Sequence, residues 1–185
     1  QGEKIQRGGI GTDVNTKDPK YIKSNLLGTA SKGTRSPDRG IEDGKLTMHL
    51  IKGDIEYLSE TSWDMFETGT TSKTSTTKDG NVEITVPPTL GKTYWVVIAQ
   101  TIGVPPSFDK DIQAVLTPIY GAFSVSPAFK SPAELTLSVN DAKQTTELHM
   151  FNAQEEKWST KNVTVQNNKI STTIEHFATF VVTSK

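Results

Sequence analysis

Short runs in which apolar and polar residues alternate, each closed by turn-forming residues, set the tightest limit on how this chain can fold. They are clearest between Ser131 and Lys185. Pro132-Ala133-Glu134-Leu135-Thr136-Leu137 opens one run and Glu147-Leu148-His149-Met150-Phe151 a second. Trp158 then leads to Lys169-Ile170-Ser171-Thr172-Thr173-Ile174, and Glu175-His176-Phe177-Ala178-Thr179-Phe180-Val181-Val182 reads as the last. A period of two sends successive side chains to opposite faces, so these runs are half-buried antiparallel strands. In the last one, Ile174, His176, Ala178 and Phe180 share one face while Phe177, Thr179 and Val181 share the other. Both faces are partly apolar, which predicts a strand inside a sheet.

Upstream the same pattern recurs. Leu46–Ile51 reads as a strand, Lys52-Gly53-Asp54 as a turn, Ile55–Leu58 as a short continuation and Ser62–Glu67 as a separate strand. Thr68–Gly80 is nearly all Thr, Ser, Lys and Gly, a loop or a hairpin with wet faces; its alternate positions lack the apolar residues of a membrane-inserting hairpin. Val82–Val86 alternates and stops at Pro87-Pro88. Tyr94–Ala99 is almost wholly apolar and reads as a central strand buried on both faces, and Ile112–Leu116 and Ile119–Phe123 add two more. Spaced strands with Pro, Gly and Asn turns predict an all-β, antiparallel β-sandwich. Residues 45–185 form this domain, and residues 1–44, rich in Gly, Lys, Asp, Ser and Thr, form a polar tether or irregular segment. Within it, Tyr21–Leu27 reads as an edge strand or helical turn, and Ser36-Pro37-Asp38-Arg39-Gly40 as a turn.

Composition narrows the function. Hydrophobic residues make up 34% of the chain, a low share that suits sheets with wet outer faces. A net charge of -1 gives no electrostatic reason to expect nucleic acid. There is no cysteine, which removes disulfides, thiolate catalysis and thiolate metal sites. No apolar run approaches the roughly 20 residues of a membrane helix. Gln1 suits a chain that begins after a removed signal or a lipid anchor. The expected setting is therefore extracytoplasmic: the cell surface or the outer membrane.

From Asn81 to Val182 the chain resembles a ZU5-like module, a β-sandwich found beside death domains and in cell-surface proteins. The resemblance rests on Val82-Glu83-Ile84-Thr85-Val86-Pro87, on Ile119–Phe123 followed by Phe129 and the Pro132–Leu137 passage, and on Trp158, Ile170 and His176-Phe177-Ala178-Thr179-Phe180. Self-processing relatives carry His-Phe-Ser, and the Ser hydroxyl attacks the preceding carbonyl with help from the His. Here Ala178 stands in the third position. The resemblance thus implies that His176, Phe177 and Ala178 form an inactive processing site; packing or hydrogen bonding is the expected role of His176.

No other motif carries chemistry. Gly8-Gly9-Ile10-Gly11 lacks the strand-to-helix context of a phosphate loop. His49, His149 and His176 have no paired metal-ligand spacing, and the Asp38/Glu42/Asp43 and Glu155/Glu156 groups lack a calcium-loop pattern. No Ser/His/Asp pattern emerges, and distant paired carboxylates for glycoside hydrolysis have no local motif to argue for them. Asn162-Val163-Thr164 matches a glycosylation sequon but reads as coincidence on a chain expected to be bacterial. Trp95 and Trp158 are expected in the core, leaving Trp63 and Tyr57 as candidate ligand contacts. The expectation is a monomeric, non-enzymatic surface spacer, adhesion or protein-interaction unit without cofactor or metal, whose partner is a protein or a glycan. A carbohydrate-binding module and a cleavage-inactive self-processing domain are the alternatives.

Overall fold

The period-two runs become strands, and their apolar positions meet between two sheets. The computed structural model describes residues 11–13, 17, 28–37, 41, 43–89, 92–143 and 145–184. The chain divides into two compact units, Gln1–Ile41 and Glu42–Lys185.

In the first unit, β1 (Gly28–Ser31) and β2 (Thr34–Pro37) form an antiparallel hairpin. Its turn residues Lys32 and Gly33 both have positive φ, at 47° and 82°, as a tight two-residue hairpin requires. Ser36 and Pro37, expected in a turn, therefore lie in a strand. Pro37 sits in the terminal pair opposite Gly28, where a missing N–H interrupts no ladder. Tyr21–Leu27, Gly8-Gly9-Ile10 and Asp38-Arg39-Gly40 lie outside the described residues.

The second unit is an all-β, antiparallel sandwich. Its strands are β3 (Gly44–Lys52), β4 (Ile55–Glu67), β5 (Lys73–Thr76), β6 (Val82–Val86), β7 (Trp95–Gln100), β8 (Val115–Phe123), β9 (Ala133–Ser138), β10 (Glu147–Asn152), β11 (Lys157–Lys161), β12 (Thr164–Gln166), β13 (Lys169–Ile174) and β14 (Thr179–Thr183). One sheet has seven strands in the order β11-β10-β14-β8-β7-β4-β3; the other has five, β12-β13-β9-β6-β5. Val82, Ile84, Leu135, Leu137, Ile170 and Ile174 from the small sheet face Val96, Ile98, Leu148, Met150, Phe180 and Val182 from the large one. Truncating a buried aromatic such as Phe180, 1% exposed, to alanine costs about 3–5 kcal/mol.

Several boundaries differ from the expected ones, each for a physical reason. Ile55–Leu58 and Ser62–Glu67 are one 13-residue strand, because β3 pairs along its whole length from Lys52–Ile55 to Gly44–Trp63. The Thr/Ser stretch supplies β5, which pairs with β6, and its ends are buried: Thr68 donates or accepts at Thr89, and Thr77 bonds Asp79 and Val82. Ile112–Ala114 is a 3-10 turn capped by the Asp111 side chain, and Val115–Phe123 is a single strand. Strand β7 is central but buried on one face only: Val96 and Ile98 point into the core while Trp95 is 45% exposed.

A cross-sheet hydrogen-bond cluster ties the layers. Tyr120 on β8 donates to the Asp79 carboxylate and accepts from Asn81 Nδ2 at 3.1 Å. Thr77 Oγ1 and the Asn81 main-chain N–H donate to the same carboxylate, at 2.6 and 3.0 Å. Burial pushes the Asp79 carboxyl up, but the bonds from Thr77, Tyr120 and Asn81 outweigh it and hold the group below its ordinary value. Burial, with the Asp79 bond, pushes the Tyr120 hydroxyl up to about 12.

Candidate functional site

The last expected strand is interrupted at the residues the sequence singled out. β13 ends at Ile174 opposite Ala133 in the small sheet, and β14 starts at Thr179 opposite Gly121 in the large one. Glu175-His176-Phe177-Ala178 is thus the bend that carries the chain between layers roughly 10 Å apart. His176 and Ala178 do not share a strand face, contrary to the alternation, because a crossover cannot keep a sheet's pleat.

The bend is pinned along its length. Phe129 N donates to Glu175 O at 2.7 Å, and Ala122 N donates to Ala178 O at 2.9 Å. Phe177 meets Phe129 edge-on, with ring centres 4.8 Å apart. Lys161 Nζ lies 2.6 and 2.8 Å from the two Glu175 oxygens, and this bond holds the Glu175 carboxyl below its ordinary value. Ala178 is buried. The His176 Nε2 atom is also buried, and among the described residues it has no hydrogen-bond partner.

His176, Phe177 and Ala178 line a cleft of about 360 Å³ together with Phe151, Gln154 and Trp158. Ser124 and Ser126 at its rim donate their hydroxyls to Trp95 O and Pro127 O, at 2.8 and 2.9 Å. With His176 Nε2 unpartnered among the described residues, no hydroxyl among them is bonded to it, the arrangement that activates a nucleophile. Trp158 is half-buried at the sheet edge rather than in the core. Its Nε1 donates to Pro106 O at 2.9 Å, and its ring packs on Phe108 and Phe151.

The other histidines stand apart. His49 Nδ1 lies 2.8 Å from Glu56 Oε1, whereas His149 is buried between the Thr160 and Thr183 hydroxyls, at 3.2 and 2.9 Å. Among the described residues, no three His, Asp or Glu side chains cluster as metal ligands.

A second candidate surface is larger, and pattern reading missed it. The small sheet turns Glu83, Thr85, Glu134, Thr136, Ser171 and Thr173 outward, and pairs such as Thr136–Ser171 bond across it at 3.2 Å. That face is wet, as composition suggests. The outer face of the large sheet is not. Over β10 and β11 it is covered by the loop that carries Phe108, which packs on His149 and Trp158. Over β3, β4, β7 and the end of β8 no described element covers it. There Leu46, Met48, Leu50, Ile55, Tyr57, Trp95 and Phe123 are exposed, between 37% and 56%. Register puts them all on one side: Leu50 opposite Tyr57, Glu67 opposite Trp95 and Val97 opposite Phe123.

Trp63 belongs to this face but is half-buried, its indole lying flat against Gly44 in the facing pair. Tyr57, at 54% exposure, stands free on the arm. The two sequence-selected aromatics are therefore on one surface, and the His176 group on another. The signal for the apolar face was present in Leu46, Met48 and Leu50, but alternation does not say which side of a sheet lacks a covering layer. Compared with known proteins, the chain matches no family model and no curated sequence.

Proposed function

We propose that this chain is a non-enzymatic interaction module of the cell exterior, an adhesion or protein-interaction unit that engages its partner through the uncovered outer face of the seven-stranded sheet. One observation carries the reading: Leu46, Met48, Leu50, Ile55, Tyr57, Trp95 and Phe123 form an apolar surface on the outer face of the large sheet, with Ile51 and Leu58 exposed on the other side of β3 and β4, whereas the outer face of the small sheet is polar. Contiguous apolar patches of that kind mark interaction sites in folded proteins. The polar leader and the Thr/Ser-rich sequence support an extracytoplasmic setting. No helix among the described residues is long and apolar enough to cross a membrane.

A glycan platform is the second reading, supported by Tyr57, Trp63 and Trp95 sharing this face. Their spacing argues against it. At about 3.3 Å per residue, Trp63 stands some 20 Å along β4 from Tyr57 and about 13 Å from the level of Trp95. Leu, Met and Ile fill the intervals, as a protein partner requires and a sugar chain does not. The test is a Leu50→Lys, Tyr57→Lys double variant. We expect its thermal unfolding to match the parent, because both side chains are exposed, while protein-containing complexes recovered after chemical cross-linking in the native host disappear. Loss of the folded state instead would mean that the face is structural.

A further inference from the structure

Resting on that interface reading, we infer that the partner at the β3 edge is a second copy of this chain, joined by antiparallel pairing of β3 with its twofold-related mate. β3 ends the seven-stranded sheet, and among the described residues no strand pairs with its outer edge. It is nine residues long, against about five or six for an ordinary strand. β4 pairs with β7 only from Trp63 to Glu67. Lys45–Ser62 is therefore a two-stranded arm, tied at its root to β7 by the Thr61 hydroxyl donating to Gln100 O at 2.6 Å, and a lone hairpin of this kind is marginal in water unless something covers it.

Exposed edges are ordinarily guarded by outward charges, lysine above all. Here two of the cationic candidates on β3 are turned back. Lys45 Nζ lies 2.7 Å from Glu60, and His49 lies 2.8 Å from Glu56, both on β4. From Leu46 to Ile51 the strand contains no carboxylate, lysine, proline or glycine.

The edge is also self-complementary in one register. The hairpin turns through Gly53, φ 62°, and Asp54, with Lys52 opposite Ile55. In a two-residue hairpin the flanking pair exchanges both main-chain bonds, and bonded and non-bonded pairs then alternate. That leaves the N–H and C=O groups of Lys45, Thr47, His49 and Ile51 pointing away from β4. A twofold axis at Met48 pairs Thr47 with His49 and Lys45 with Ile51 through those groups. It also sets Leu46 beside Leu50 and Met48 beside its own mate on the outer face. Shifting the axis to Thr47 would oppose Leu50 to Gly44, and shifting it to His49 would oppose Leu46 to Lys52. Of these three registers the Met48 one keeps the apolar stripe unbroken, and a closed twofold contact does not propagate. The pairing replaces the monomer expected from sequence and joins two seven-stranded sheets into one surface.

The chain has no cysteine, so cysteine trapping reads the register cleanly. At a non-hydrogen-bonded antiparallel pair the Cα atoms lie about 4.5 Å apart, within disulfide range. In the purified full chain, Met48→Cys alone should form a disulfide dimer about a hundredfold faster than Lys45→Cys alone, as when pairing replaces random collision. Leu46→Cys mixed with Leu50→Cys, the neighbouring non-hydrogen-bonded pair, should cross-link as Met48→Cys does. Sedimentation of the unsubstituted chain should show a monomer–dimer equilibrium. Equal, slow cross-linking at Met48 and Lys45, or a monomer at every concentration, overturns the inference. A monomeric chain that nevertheless cross-links to a different protein through Tyr57 keeps the interface reading and removes the second copy. No protein adduct through Tyr57 removes the interface reading itself.

Discussion

Replacing Tyr120 with Phe removes one oxygen from the cluster that joins the two sheets. Tyr120 is buried, and its hydroxyl both donates to Asp79 and accepts from Asn81. A hydrogen bond to a charged group contributes about 1.5–3 kcal/mol. Asp79 itself opens to solvent, which screens the interaction, so we expect the loss to be about 1–2 kcal/mol. For a chain of this size that lowers Tm by roughly 2–8 °C. The pH dependence follows from the two shifts. Asp79 is held below its ordinary value, so its contribution is present above about pH 4 and fades as pH falls through the folded value. Tyr120 is raised from 10.0 to about 12, so its contribution is whole below pH 10 and fades between 10 and 12. The difference in stability between parent and Tyr120→Phe, measured by urea unfolding, should thus be flat near neutrality and shrink at both extremes. A double-mutant cycle with Asp79→Asn should give a coupling of about 1 kcal/mol. A variant that melts within roughly 1 °C of the parent, or additive single effects, would show that the cluster does not tie the layers.

Two further outcomes are expected. Ala178→Ser should remain a single chain by intact mass under denaturing conditions, because both flanks of the bend are pinned by main-chain bonds; scission after Phe177 would restore the self-processing reading. Gly44→Ala should drive a methyl group into the Trp63 ring, which lies within 2.4 Å of the ideal Cβ position. Its signature is a red-shifted tryptophan emission with about 1–3 kcal/mol lost in urea unfolding, and unchanged emission would contradict the stacked geometry.

How much of this was legible in the sequence depended on whether the information was local. Val82–Val86 and Lys169–Ile174 became strands at their expected bounds, since alternation and flanking turn residues are local signals. The merger of Ile55–Leu58 with Ser62–Glu67 was not legible, because Ser59, Glu60 and Thr61 look like a break and are held in the strand by pairing with β3. The crossover at His176 was hidden for the opposite reason. Its residues alternate as a strand would, but Ile174 and Thr179 are claimed by different sheets. Trp95 was expected in the core because its neighbours are apolar. Register opposite Glu67 turns it outward, where the large sheet has no covering layer. Which face of a sheet goes uncovered is a property of the whole topology, and so the apolar outer surface emerged only with the strand order.

The most direct measurement of the proposed function is photo-cross-linking in the native host from three single positions of the full chain: Tyr57 and Trp95 on the apolar face, and Thr173 on the polar one. All three are exposed. Protein adducts of defined mass from Tyr57 and Trp95, absent from Thr173, are the predicted result. Equal labelling at all three sites, or adducts with glycan alone at Tyr57 and Trp95, would contradict an interaction face on the seven-stranded sheet.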